Sequence, residues 1–187
     1  MYTYIQARSG LYVPHAAPHG MEVGTISAFS FGTRPDTPGP INKQLALFAV
    51  GQAEDRLVQI IAQSQVAEAI VAMGAANYLR HTSQPETPRE NRYFSTAHMM
   101  KRVQDYGEAG TATLLVAQAH HAPRVDYMAA QAGIATELPP GLPGDFDPHS
   151  GQLATRSKEA WRHRERLVMA AEVAHSGLRQ VTRRFAK

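Results

Sequence analysis

Thr111-Ala112-Thr113-Leu114-Leu115-Val116-Ala117 runs without a charge and leads, through Gln118-Ala119-His120-His121-Ala122, to Pro123. A leucine- and β-branch-rich stretch of this kind reads as a buried strand. Pro123 then sits in the first turn of a helix that stops at Gly133. Because the strand is apolar at consecutive positions rather than at every second one, it is covered on both faces, as strands of a parallel sheet are.

Outward from this unit the same alternation repeats. Residues 25–32 predict a strand that runs into the turn-rich Thr33-Arg34-Pro35-Asp36-Thr37-Pro38-Gly39-Pro40, and residues 41–53 predict a helix entered through Pro40. Residues 56–62 form a short apolar run suited to a buried strand, and 66–73 return to helical spacing. Residues 78–80 are a further short strand, 83–88 a loop, and 89–106 a helix closed by Gly107. Residues 134–138 give a last strand and 139–150 a loop. A terminal helix spans 157–182, capped by Ser157, with Trp161, Leu167, Val168, Ala171, Ala174 and Leu178 as its apolar stripe. Alternating strands and helices predict an α/β fold: a three-layer, Rossmann-like parallel sheet with helices on both faces.

The chain has 187 residues, 43% of them apolar, enough for one core; residues 1–23 read as an N-terminal arm and 24–187 as one α/β domain. No run approaches the roughly 20 apolar residues of a membrane span, and no basic-then-apolar leader opens the sequence, so a cytoplasmic setting is expected. With no Cys, disulfides, thiolate nucleophiles and iron–sulfur clusters are excluded. Residues 156–187 hold nine Lys/Arg against three Glu, a surplus of +6 that exceeds the whole chain's +3. Such a basic helix is commonly a solvated face. Nucleic acid is not the expected partner, because neither aromatic-interleaved strands nor zinc-finger spacing accompany the charge.

In open parallel sheets ligands bind beyond the carboxyl ends of the strands. The candidates are therefore the residues that follow each strand: Gly32, Thr33 and Arg34; Gln63 and Ser64; Gln118, His120, His121 and Arg124; and Glu90-Asn91 at the opening of the long helix. Converging Arg side chains and helix N-termini suit an anionic small molecule. Each residue also has a plainer role: Gly32 as a turn, the Arg residues as surface charges, Glu90 as a partner of the helix dipole. His15 and His19 have helical metal spacing, but Pro18 and Gly20 argue against a helix there, and no metal site is expected. Neither a dinucleotide fingerprint nor a Walker pattern occurs.

The run Leu115-Val116-Ala117-Gln118-Ala119-His120-His121-Ala122-Pro123-Arg124-Val125 resembles the strand–His-x-Pro-Arg–helix signature of the YdcF/SanA/ElyC-like family. Ser30-Phe31-Gly32 with Arg34-Pro35-Asp36 is similar to that family's opening strand and Arg-Pro-Asp-Gly loop, Glu90-Asn91 to its Glu-Asn pair, and Gly133-Ile134 to the Gly before its next strand. The similarity spans roughly residues 24–180. It implies a Rossmann-like sheet and a small-molecule site, with S-adenosylmethionine as one ligand class and no cofactor fixed. His121 and Glu90 would be the proton-transfer pair, and Gly32, Thr33, Arg34, Ser64, Asn91 and Arg124 the ligand contacts. The chain departs from the pattern in two places. Gln63-Ser64-Gln65 stands where a Ser-Gly-Gly turn is usual, and Thr87-Pro88 where Asn-Thr is usual. Two functions compete on this reading: a small-ligand-binding domain or enzyme for a nucleotide-like, S-adenosylmethionine-like or phosphorylated metabolite, and a non-catalytic accessory or scaffold protein with a degenerate pocket. The second would use the N-terminal arm or the basic terminal helix to meet a protein partner or a second copy.

Overall fold

A computed structural model describes residues 17–18, 20–34, 37–83 and 96–167. Five parallel strands form one sheet in the order β3-β2-β1-β4-β5, where β1 is Val23–Ala28, β2 Gln59–Gln63, β3 Leu79–Ser83, β4 Ala112–Val116 and β5 Thr136–Glu137. The helices are α1 (Pro40–Arg56), α2 (Ser64–Ala72), α3 (Thr96–Tyr106), α4 (Ala122–Gln131) and α5, which covers 158–167 of the described chain. The expected α/β class and Rossmann-like parallel sheet are thus observed.

The strands' alternation divides the core between two faces. Ile26, Ala28, Ile60, Ala62, Leu114 and Val116 pack with Leu45, Ala49, Val66 and Ile70 of α1 and α2. Phe29, Ile61, Leu115 and Ala117 pack with Met99, Met100, Val125 and Ala129 of α3 and α4. Every residue of β4 is buried, as its uncharged run requires. Small residues on α1 (Ala46, Ala49, Ala53) let that helix lie close against the sheet.

Several boundaries differ from the sequence reading. β1 ends at Ala28, four residues before Gly32, because the backbone beyond Phe29 turns to side-chain partners. Arg56 closes α1 rather than opening β2. Leu57 then stops the helix in the left-handed region (φ 57°), a job usually given to Gly, so its sequence carries no stop signal. β3 lies at 79–83 and β5 is only two residues long. Pro40 at the first turn of α1, Gly107 after α3 and Ser157 as a cap (Ala160 N–H to Ser157 Oγ, 3.1 Å) are observed as read. Residues 1–16, Pro35-Asp36, the Glu90-Asn91 pair and the terminal helix beyond residue 167 lie outside the described residues. Among the described residues no helix is long and apolar enough to cross a membrane.

Candidate functional site

β1 lies between β2 and β4, so the connections leaving β1 and β4 run to opposite halves of the sheet and open a crevice at their carboxyl ends. The loop after β1 forms one wall. Its backbone is held by buried amides: Ser30 N–H donates to Gln63 Oε1 (2.7 Å) and Phe31 N–H to Asn42 Oδ1 (2.8 Å). Asn42 Nδ2 donates to Gly32 O and to Gln65 Oε1, and Gln65 Nε2 to Arg34 O, each at 3.2 Å. The side chains of Gln63 and Gln65 are thus both taken up by the loop after β1 and by Asn42. Ser64 between them is half-buried and opens α2.

Residues 147–156 cover the same loop from outside. Arg34 forms a two-pronged ion pair with Asp147, Nε to Oδ2 at 2.8 Å and Nη2 to Oδ1 at 2.7 Å. The guanidinium hydrogen bonds hold the Asp147 carboxyl below its usual range, and the same contact raises Arg34. Thr33 N–H donates to Ser150 Oγ (3.2 Å), and Gly151 N–H to Thr33 O (2.7 Å).

The turn after β4 forms the other wall. Gln118 is fully buried and its side chain is used at both ends: Oε1 accepts the N–H groups of His120 (2.8 Å) and His121 (3.2 Å), and Nε2 donates to Gly144 O and Asp145 O. The Ala122 N–H donates to Gln118 O, Pro123 has none, and the Arg124 N–H donates to His121 O. The first turn of α4 is therefore internally satisfied and does not offer the anion-binding amides that the sequence led us to expect. Arg124 pairs with Glu165 of α5 (Nη1 to Oε1, 3.3 Å).

His121 stands between the walls, 9% exposed, ringed by Phe29, Phe31 and Trp161 at centroid distances of 6.5, 6.2 and 5.3 Å. Its Nε2 lies 3.5 Å from Thr96 Oγ1, and its buried Nδ1 has no hydrogen-bond partner among the described residues. Burial, aided by Arg124 and Arg164, pushes its pKa down to about 3, so it is neutral at pH 7. His120, one residue earlier, is exposed and stacks on Phe146 (5.3 Å).

This depression has a consequence for stability. The unfolded chain takes up a proton on His121 below about pH 6.5 while the folded chain does not, so stability is lost as pH falls from there toward 3. Between about pH 7.5 and 5 the loss is expected to be about 2 kcal/mol, read by denaturant unfolding at each pH. A His121→Leu variant should flatten the profile in that window. The Asp147 contribution fades only at lower pH, as the carboxylate range is entered, and so leaves the window between pH 7.5 and 5 to the imidazole. A wild-type profile without slope between pH 7.5 and 5 would contradict the burial of a neutral imidazole.

The chain was compared with family models, with curated proteins and with solved structures. It matches none of them.

Of the sequence candidates, Gly32, Thr33, Arg34, His121 and Arg124 do meet at this crevice, with Ser64 behind Gln63. Glu90 and Asn91 fall outside the described residues. Asn42, Asp147, Ser150, Trp161 and Glu165 are not among the sequence candidates for the site. Gln118 stood among the residues after the strand and Trp161 in a helix stripe, but the other contacts join parts of the chain with no local signal. Among the described residues no three His, Asp or Glu side chains gather as metal ligands.

Proposed function

We propose that this chain is a cytoplasmic small-ligand-binding α/β domain whose site is the crevice between the carboxyl ends of β1 and β4, with His121 as its central hydrogen-bonding group. The observation that carries the reading is the buried His121 Nδ1 without a partner. An unsatisfied buried polar atom costs about 1–3 kcal/mol, and a ligand that bonds it recovers that cost on binding. Ser30 Oγ after β1 and Ser83 Oγ at the end of β3 are buried and, among the described residues, unpartnered as well, on the same edge of the sheet. An imidazole held neutral is a weak base at pH 7, so its role is to donate or accept a hydrogen bond rather than to carry a proton away. The YdcF-like resemblance adds the ligand class: nucleotide-like, S-adenosylmethionine-like or phosphorylated.

The test is a thermal-shift panel of nucleotides, S-adenosylmethionine and sugar phosphates. A ligand at 100 times its Kd stabilises by about 2.7 kcal/mol, which is about 5–10 °C in a chain of this size. His121→Leu removes an unsatisfied group and should fold, yet lose the shift. A shift unchanged in that variant would overturn the site.

One set of contacts favours the second reading, a non-catalytic accessory protein with a filled pocket: both site arginines are already paired within the chain, and Trp161 packs on Phe31 at 4.9 Å. That reading predicts silence across the panel.

A further inference from the structure

The segment that fills the crevice does so with a particular chemistry. Asp147 presents both carboxylate oxygens to Arg34, and its side chain is only 5% exposed. Ser150 Oγ accepts the Thr33 N–H, at a place where Gly32, with φ +81°, lets an outside group come close. Trp161 lays a flat ring against Phe31 and His121 and donates its Nε1–H to His120 O at 3.2 Å. Glu165 places a second carboxylate on Arg124. Two acidic groups, an oxygen on a backbone amide and a planar N–H-bearing heterocycle are the features of a ring-bearing anion. They are arranged across the loops where an open parallel sheet takes its ligand.

We infer that residues 146–167 occupy the crevice as an internal stand-in for a ring-bearing anion, and that a nucleotide-like ligand, flat ring and acidic group together, binds by displacing them. This rests on the reading of the crevice as a ligand site. The fold permits the movement. Residues 146–157 add no strand to the sheet and contain one short helical turn, Leu153–Thr155, and 158–167 are helix α5, so the segment leaves without breaking a strand ladder; Gly151 N–H gives up Thr33 O. The Gln118 amide on Gly144 O and Asp145 O marks where the moving part begins. An incoming anionic group takes the place of a carboxylate on a site arginine, so that guanidinium stays paired.

Trp161 is the chain's single Trp, so its fluorescence reports the displacement directly. The full chain is titrated with AMP, adenosine and inorganic phosphate, with emission, acrylamide quenching and calorimetry followed in parallel. AMP should shift the emission to the red and raise quenching, at a midpoint about tenfold or more below that of adenosine or phosphate alone, since only AMP replaces both ring and anion. Asp147→Asn weakens the hold on Arg34, raises the open fraction and should lower the AMP midpoint about fivefold or more. AMP binding that shows by calorimetry but leaves the indole unchanged overturns the displacement and leaves the ligand site standing. Absence of heat with every probe, in wild type and in Asp147→Asn, overturns both.

Discussion

Replacing Gln118 by Leu is expected to lower the stability of the chain by about 3–4 kcal/mol, or about 10 °C in melting temperature. The side chain is fully buried, and Leu fills much the same volume, so the loss comes from hydrogen bonding rather than from a cavity. Four backbone groups lose their partner at once: the N–H groups of His120 and His121 and the carbonyls of Gly144 and Asp145. His121 N–H keeps a second bond to Gln118 O, and the two loop carbonyls can reach water, which is why the cost stays below the sum of four buried orphans. Limited proteolysis should show new cleavage around 144–150, because beyond the Ala119 N–H on Pro143 O the amide ties that loop to the end of β4. A loss under about 1 kcal/mol would mean the loop is held by Phe146 against Phe31 and His120 instead.

The sheet was legible because local pattern determines it. Uncharged runs such as 111–117 can only be buried, Pro40 and Pro123 fit only the first turn of a helix, and Gly107 and Gly133 end the helices before them. Where the pattern misled, the deciding residue broke the usual rule. Leu57 takes the left-handed cap without being Gly, and α1 therefore runs three residues past its apparent end. The site was half legible. That Gly32, Arg34, His121 and Arg124 converge follows from the pairing of β1 with β4; the alternation of elements implies a parallel sheet but not which strands are neighbours. That the two arginines are paired does not, because Arg34 meets Asp147 across 113 positions and Arg124 meets Glu165 across 41. Residues 139–150 read as plain loop for a physical reason: they are extended and irregular, with no periodicity, and their role lies wholly in tertiary contacts. The Gln63 and Gln65 substitutions were visible as departures, but only the fold shows that their amides take up the loop's own backbone groups.

Gly32→Ala is expected to cost about 3 kcal/mol. Two effects add. At φ +81° an L-residue carries about 1–2 kcal/mol of backbone strain that Gly escapes. The new methyl would also stand 2.7 Å from Ser150 Oγ and 2.9 Å from Thr155 Oγ1. Those hydroxyls are buried and bonded to each other at 2.7 Å, with Ser150 also holding the Thr33 and Gln152 amides, so neither can swing aside without losing a bond. A double variant separates the effects. Ser150→Ala by itself should cost about 1 kcal/mol in lost hydrogen bonds, and combined with Gly32→Ala it should cost less than the two singles together by about 1 kcal/mol, because the clash with Ser150 Oγ has gone. Strict additivity would remove the Ser150 hydroxyl from the cost of Gly32→Ala and leave it to the backbone and to Thr155 Oγ1. A measured coupling instead ties the glycine to the covering segment. In sequence, Gly32 reads as a turn or as the residue that lets a ligand approach. In the fold, the group that approaches is the chain's own Ser150. The same absence of a side chain serves either occupant, so the coupling should weaken when AMP displaces the segment, while the strain at φ +81° stays.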